Sequence, residues 1–306
     1  MSPPLSPIYL AGPTASGKSA VAMALARRLG RAAIVNADAF QLYQGLSRLS
    51  AAPEEADRSA VPHHLYGILA PTETCDAATY ASMAREVIDR LLADGVVPLI
   101  VGGSGLYLKA LTHGLAPTPP GDAVLREQLD SLPLESLVAW LTALDPVGAA
   151  ATNLKNRRYV TRNLEITLLS GQPASRLKQS FAVADPEIRA FVLTRSRDDL
   201  YRRIDRRAAE MLRSGAVEEV AALNGTPVSA TAEKAIGFRE IRDMIAGRLS
   251  PEDCLASIAQ ATRRYAKRQE TWFRREKAFQ SVCLSPSETP NSAADRLMDW
   301  LRPVAG

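Results

Sequence analysis

The sequence predicts an α/β fold, in which a parallel sheet flanked by helices carries a phosphate-binding loop and accommodates a small helical insertion. An apolar run at 8–11 leads into GPTASGKS at 12–19 and then into an Ala-rich stretch with helical spacing. Apolar runs typical of buried parallel strands recur at 32–36, 96–101 and 188–193. Between the last two, the spacing of apolar residues is mostly helical.

The octapeptide at 12–19 has the strand, glycine loop and helix order that a phosphate-binding loop requires. Its glycines let the backbone N–H groups turn inward, and the helix N-terminus adds unpaired donors and a positive dipole. Lys18 adds a mobile charge, and the Ser19 hydroxyl is placed to hold Mg²⁺, the predicted cofactor. This pattern predicts a P-loop NTPase-like fold. The predicted diphosphate-binding positions are Gly12, Thr14, Ala15, Ser16, Gly17, Lys18 and Ser19.

Two further segments are predicted beside this loop. The second strand ends at Asp38, and groups just past the carboxyl ends of parallel strands face the ligand crevice. A helix N-cap or turn aspartate explains the same position equally well. The third strand runs into a second glycine turn, GGSGLY at 102–107, which brings the Ser104 hydroxyl close to the first loop. Residues 47–76 are predicted to be irregular, with His63 and His64 in a loop.

The chain is predicted to fold in three parts. Residues 1–118 form the first part of the core, residues 119–186 an all-helical insertion, and residues 187–306 the rest of the core with basic C-terminal helices. A Pro-rich hinge at 117–121 opens the insertion. In the third part, Arg203 and Arg207 share one face of a predicted helix, where two guanidiniums suit a phosphate clamp. A solvated helix face is the alternative.

A basic and aromatic block occupies residues 262–277. Its seven cations face only two acids and are interleaved with Tyr265, Trp272 and Phe273. On a helix, Arg264 and Arg268 share a face. Cationic rows with aromatic planes suit nucleic-acid phosphates and bases, whereas a charged surface helix with core aromatics is the structural alternative.

Composition and segment lengths exclude several classes of protein. Cys75, Cys254 and Cys283 lie far apart with no CxxC pair, which argues against a zinc knuckle or a disulfide framework and suits a reducing compartment. No apolar stretch approaches the roughly 20 residues of a membrane span. The start, MSPPLSP, lacks the basic and apolar regions of a signal peptide. We therefore expect a cytoplasmic protein with no membrane partner.

Six motifs together resemble the bacterial tRNA dimethylallyltransferase family, and the resemblance runs from residue 8 to about 275. They are GPTASGKS at 12–19, NADAFQLY at 36–43, GGSGLY at 102–107, NRR at 156–158, AIGFRE at 235–240, and TRRYAKRQ at 262–269 with TWFR at 271–274.

The resemblance implies transfer of the dimethylallyl group from dimethylallyl diphosphate to N6 of adenosine 37 in tRNA, giving N6-isopentenyladenosine and diphosphate. A monomer that binds the anticodon stem-loop and flips out the acceptor base is implied. Asp38 would be the base that accepts the N6 proton, with Lys18, Ser104 and Arg207 as its catalytic partners and Arg203 beside the diphosphate. The implied tRNA-facing residues are Asp38, Ala39, Phe40, Gln41, Ser104, Arg126, Arg158, Tyr159, Val160, Thr161, Arg162, Arg264 and Arg268.

Three positions depart from the family's pattern: Ala39 replaces a usual serine, Ala52 a frequent lysine, and Asn163 a common alanine. Three other functions stay open at this point. A small-molecule kinase usually has a carboxylate at the end of the third strand, which is missing here, although Asp38 could substitute. A free-nucleotide (adenylate) isopentenyltransferase needs neither the insertion nor the basic block. An RNA-binding module with an inactive loop would not need the catalytic residue types.

Overall fold

The computed structural model describes residues 5–178 and 188–301. Two predictions fall partly outside these ranges. The signal-peptide prediction used the first four residues, and the predicted insertion ends at residue 186. The chain divides into two compact units, residues 1–112 together with 185–306, and residues 113–184.

A six-stranded parallel sheet forms the centre of the first unit. Its strands are β1 (Ile8–Ala11), β2 (Ala32–Asn36), β3 (His63–His64), β4 (Val97–Gly102), β5 (Arg189–Arg195) and β6 (Gln280–Leu284), in the order β3-β2-β4-β1-β5-β6. Strands β1 and β2 are buried along their whole length, as apolar strands covered by helices on both faces must be. The predicted α/β fold class is confirmed.

Fifteen α-helices surround this sheet or build the second unit within the described part of the chain. They are α1 (Lys18–Leu29), α2 (Ser47–Ser50), α3 (Glu55–Ala60), α4 (Ala77–Ala93), α5 (Gly105–Thr112), α6 (Ala123–Asp130), α7 (Leu134–Leu144), α8 (Pro146–Ala151), α9 (Arg157–Ser170), α10 (Ala174–Lys178), α11 (Arg197–Arg213), α12 (Ala216–Ala222), α13 (Phe238–Ile245), α14 (Pro251–Phe273) and α15 (Pro290–Leu301). Short 3₁₀ turns occupy Ala39–Leu42 and Ala232–Lys234.

Apolar faces of these helices define the cores. One core joins α1 and α15 to the sheet through residues such as Leu25, Leu193 and Leu297. A second lies among α11 to α14, where Phe238 and Ile258 are buried. The second unit has its own core, built on α6, α7 and α9. Parallel pairing of β4 with β1 and with β2 brings the carboxyl ends of these three strands together, and the candidate site lies there.

Two predictions of secondary structure are wrong. The segment 47–76 is not wholly irregular, because it contains α2 and α3, and His63–His64 pairs with β2 as strand β3. Strand β6 was not predicted. Only Val282 and Leu284 of its five residues are buried, because it is the edge strand beside β5, so its sequence lacks a continuous apolar run. Among the described residues, no helix combines the length and apolar character needed to cross a membrane.

Candidate active site at the carboxyl edge of the sheet

The phosphate loop connects β1 to α1. Gly17 immediately precedes the helix with φ of 95°, in the left-handed region that favours glycine. Gly12, Thr14 and Ser16 are buried, while Ser19 is exposed in the first turn. The first N–H groups of a helix have no partner within it, and the dipole is positive at that end. The loop therefore has the geometry of an anion-binding site.

Two arginines hold the outer side of this loop. Arg195 Nε donates to the Ser16 carbonyl at 2.7 Å, and Arg203 Nε donates to the Ala15 carbonyl at 2.9 Å. Because the peptide bond is trans, a carbonyl directed at Arg195 turns the following N–H to the opposite side. Arg195 is itself buried and bound to Asp199 at 2.8 Å. The arginines thus orient the loop as well as adding positive charge.

Lys18 lies at the inner side of the loop, with Nζ 3.4 Å from the Pro13 carbonyl oxygen. Burial lowers the pKa of Lys18 to about 8; the charge of Asp38 acts in the opposite direction and that of Arg207 in the same direction. These three charged groups therefore lie close enough to influence one another. A bound anion would favour the protonated ammonium.

Asp38 follows β2 and caps the 3₁₀ turn, one of the two roles that its position suggested. Its Oδ1 accepts from the Phe40 N–H at 3.1 Å and so caps the 3₁₀ turn. Its own N–H donates to Asn36 Oδ1 at 2.8 Å, and the Asn36 amide donates to the Asp38 carbonyl at 3.0 Å. Within the described ranges, Oδ2 accepts no hydrogen bond from the protein. One oxygen therefore fixes the carboxylate, and the other is available as a base.

Ser104 joins the second glycine turn to the Asp38 segment. Its Oγ accepts from the Ala39 N–H at 2.9 Å, and its N–H donates to the Ala37 carbonyl at 3.1 Å. The Tyr265 hydroxyl lies nearby, and burial raises the pKa of this phenol, so it stays neutral. Ser104 thus holds the backbone on both sides of Asp38 in place.

Arg207 lies on α11 beside its buried stripe of Leu200, Ile204 and Ala208. Its Nη2 donates to the Ser50 carbonyl at 3.2 Å. Burial lowers the pKa of Arg207, and the nearby Asp38 carboxylate opposes that change. The helix spacing brings Arg203 and Arg207 to the phosphate loop and Asp38 respectively, as a clamp requires.

An aromatic and cationic row lies next to Asp38. The rings of Phe40 and Tyr265 have centroids 6.0 Å apart, and the Arg268 guanidinium lies 5.6 Å from the Tyr265 ring centroid. Arg264 and Arg268 are exposed on α14. Such a row offers flat surfaces and positive charge to a nucleobase and its phosphates.

The residues around Ser19 fit a magnesium ion held mainly by its substrate. In the described part of the chain, no group of three or more His, Cys, Asp or Glu side chains could form a protein cage for a metal. Mg²⁺ keeps several waters and commonly takes one or two protein oxygens plus substrate phosphates. The exposed Ser19 hydroxyl at the loop suits that arrangement. Ser19 and Ala52 also line a cavity of about 110 Å³.

The predicted nucleic-acid residues of the second unit fall into three sets. Arg126 and Arg162 bind the fully buried Glu165 carboxylate, with nitrogen–oxygen distances of 2.7 and 2.5 Å. Burial acts to raise the pKa of Glu165, but the hydrogen bonds from Arg126 and Arg162 outweigh it and lower the pKa. Arg158 and Tyr159 are exposed on α9, whereas Val160 and Thr161 pack inside the unit.

Gln41, Ala39 and Asn163 each make a hydrogen bond within the protein. Gln41 Nε2 donates to the carbonyls of Ser50 and Ala51 at 3.1 and 2.9 Å, so it holds the segment that also binds Arg207. Ala39 contributes its N–H to Ser104, which any residue type would supply. Asn163 is buried and donates to Thr152 Oγ1 at 2.7 Å.

Sequence reasoning missed two residues of this site. Gln269 bridges the two glycine loops, and Arg195 supports the first one. Both residues lie among charged residues near the end of a helix or strand. In that context a polar side chain is expected to be exposed on the surface. The only signal was the position of Gln269 four residues after Tyr265, on the same face of α14.

Comparison with known proteins places this site in a family. The family model described as IPP transferase matches residues 41–276, and one described as Isopentenyl transferase matches residues 7–63. A tRNA dimethylallyltransferase of Akkermansia muciniphila is 46% identical, and the match covers 96% of this chain and 99% of that protein. The chain belongs to the IPP transferase family of tRNA dimethylallyltransferases. The resemblance drawn from the six motifs is therefore confirmed.

Solved structures of the IPP transferase family have the same architecture. The tRNA isopentenylpyrophosphate transferase of Bacillus halodurans matches with a TM-score of 0.70 and 30% identity, over 96% of this chain and 95% of that one. A eukaryotic dimethylallyltransferase acting on tRNA has a TM-score of 0.82 at 23% identity, which shows the fold alone. Family membership makes this chain a prenyl-group transferase and favours neither the kinase nor the free-nucleotide enzyme.

Proposed function

We propose that this enzyme transfers the dimethylallyl group of dimethylallyl diphosphate to N6 of adenosine 37 in tRNA. The observation that carries the proposal is the Asp38 carboxylate, fixed through one oxygen beside the phosphate loop and coupled to Lys18 and Arg207. A carboxylate between a diphosphate site and an aromatic row suits a reaction in which an amine displaces diphosphate from carbon.

In this reaction the bond between C1 of the prenyl group and its diphosphate oxygen breaks, and the electron pair leaves with the diphosphate. The N6 lone pair forms the new bond to C1, and Asp38 Oδ2 accepts the N6 proton. The exocyclic amine of adenine is a weak nucleophile, so removal of its proton matters as the bond forms. N6-isopentenyladenosine and diphosphate are the products.

The chain's own donors stabilise the leaving diphosphate. They are the loop N–H groups, the Lys18 ammonium and the Arg207 guanidinium, which are fixed before the reaction and need no reorganisation. Arg203 adds charge while holding the Ala15 carbonyl. Mg²⁺, held by Ser19 and the substrate, would supply further charge neutralisation to the diphosphate.

The acceptor base must leave the anticodon-loop stack to reach Asp38, at a cost of a few kcal/mol. We assign its support to Phe40, Tyr265 and Arg268, and the backbone contacts of the anticodon stem-loop to Arg264 and, in the second unit, to Arg158 and Tyr159. The side chains of Arg126 and Arg162 are 48% and 33% exposed. They would contact tRNA phosphates while still paired with Glu165. The buried Val160 and Thr161 would support this surface rather than touch RNA.

We further infer a cytoplasmic monomer. Cys75, Cys254 and Cys283 are all unpaired, which fits a reducing compartment. The monomeric state is what the resemblance to the family implies.

The function is tested with labelled dimethylallyl diphosphate, Mg²⁺ and either unmodified tRNA or AMP. We expect label in tRNA at adenosine 37, none in AMP, and none in an anticodon stem-loop carrying guanosine there. Label in AMP alone would establish the free-nucleotide enzyme. Phosphate transfer from ATP without prenylation would establish a kinase.

A further inference from the structure

The two glycine loops of the site are joined by one buried side chain. Gln269 is 5% exposed on α14. Its Oε1 accepts from the Thr14 N–H at 2.8 Å, and its Nε2 donates to the Gly103 carbonyl at 2.9 Å. The Thr14 N–H therefore donates to Gln269. While this bond is made, the same N–H cannot donate to diphosphate.

A neutral amide satisfies both loops at once. The Thr14 N–H requires an acceptor and the Gly103 carbonyl requires a donor, and a neutral Gln or Asn side chain carries one of each. An ionised carboxylate would face the Gly103 carbonyl with no proton, and an apolar side chain would leave both groups unpaired. The fit is also close, because a Cβ on Gly103 would lie 2.2 Å from Gln269 Nε2.

The same face of α14 holds the base segment. Tyr265 lies one helical turn before Gln269, with its hydroxyl near Ser104 and Gln269. Ser104 in turn accepts from the Ala39 N–H, next to Asp38. Bonds from one helix thus connect the phosphate loop, the glycine turn and the base.

We propose that Gln269 is a positioning residue that holds the phosphate loop in register with the segment carrying Asp38, and so sets the separation between leaving group and base. This role rests on the proposed function. Gln269 itself touches neither substrate. Its effect should appear in the chemical step and in diphosphate binding, and not in the affinity for tRNA.

The test exploits the requirement for a donor. In Gln269→Glu, an ionised carboxylate loses the bond to Gly103, so single-turnover transfer should fall about 10- to 100-fold relative to wild type at pH 8. As the pH falls towards 5.5 the buried carboxyl regains its proton and can donate again, so the ratio of variant to wild type should rise. The titratable groups nearby, Lys18, Asp38 and Tyr265, and the constant charge of Arg268 are present in both proteins, and the uncharged Gln269→Met measures their share of any change with pH.

Two variants complete the experiment. Gln269→Met should show a loss that does not change with pH, because it can never donate. Gln260→Glu introduces the same charge at an exposed position of α14 and should give a ratio near one at every pH. Circular dichroism melts at each pH separate loss of folding from loss of positioning.

A flat ratio for folded Gln269→Glu, or full activity in Gln269→Met, would overturn the proposal. Titration with inorganic diphosphate supplies a reading that needs no turnover, and Gln269→Met should bind it more weakly than wild type. If wild type transfers no prenyl group to tRNA, the proposed function fails, whereas unchanged diphosphate binding in Gln269→Met overturns the positioning role alone.

Discussion

Arg195 offers a way to separate support of the phosphate loop from stability of the fold. Its guanidinium makes hydrogen bonds to the Ser16 carbonyl at 2.7 Å, Asp199 at 2.8 Å and the Ser285 carbonyl at 3.1 Å. In Arg195→Met the buried Asp199 keeps one ion pair among the described residues, with Arg202 at 3.7 Å. Removing one partner of a buried pair costs about 3–5 kcal/mol, which at roughly 2 °C per kcal/mol for a chain this long lowers Tm by about 6–10 °C.

The double variant Arg195→Met/Asp199→Leu removes the unpaired charge and should recover most of that Tm, because apolar replacements of buried pairs are often neutral. It should not recover diphosphate affinity, which we expect to fall about tenfold in both variants since the Ser16 carbonyl is no longer held. Differential scanning calorimetry and titration with inorganic diphosphate give the two readings. Arg202→Met is the matched control, with a 68% exposed side chain and a change within about 0.5 kcal/mol. Unchanged diphosphate affinity in the folded double variant would refute the role of Arg195 in the loop.

Two further predictions concern charge. Diphosphate affinity should weaken as pH rises through about 8, because burial lowers the pKa of Lys18 to about 8 and the ammonium is then lost; a Lys18→Met variant should lack this step in a titration series from pH 6.5 to 9. By the same shift, the folded protein binds fewer protons at Lys18 than the unfolded chain between about pH 8 and 10.5, so this group contributes a rise in stability with pH in that window. Arg158→Ala should weaken tRNA binding and reduce the slope of log affinity against log salt by about 1, with the KM for dimethylallyl diphosphate unchanged. The half-buried Arg189, at the amino end of β5, is the control, and Arg189→Ala should leave the slope unchanged if the phosphate contact is specific to Arg158.

Local sequence patterns were sufficient to predict the positions of residues that depend only on their own strand or helix. The loop at 12–19, Asp38 and the glycine turn each follow a buried strand, and parallel strands bring their carboxyl ends to one edge. Arg203 and Arg207 followed from helical spacing. Helical periodicity on α9 also predicts which residues of 158–162 are exposed. Arg158 and Tyr159 are exposed and the next two residues are buried, whereas the family resemblance assigned the whole run to tRNA.

The remaining site residues depend on contacts that no local pattern contains. Gln269 meets Thr14 and Gly103 across 255 and 166 positions of sequence. Arg195 meets Ser16 across 179 positions. Both are polar side chains that tertiary packing buries and that make hydrogen bonds there, whereas polar residues in a charged neighbourhood are expected on the surface.

The central claim is that Asp38 accepts the N6 proton, and Asp38→Asn tests it most directly. The asparagine oxygen can still accept from the Phe40 N–H, so the 3₁₀ turn keeps its cap while the base is removed. We predict that single-turnover prenylation of tRNA falls by about 10²- to 10⁴-fold. Binding of inorganic diphosphate should be retained, because Lys18 and Arg207 lose no partner that holds them in place. Prenylation by Asp38→Asn at close to the wild-type rate would contradict the account.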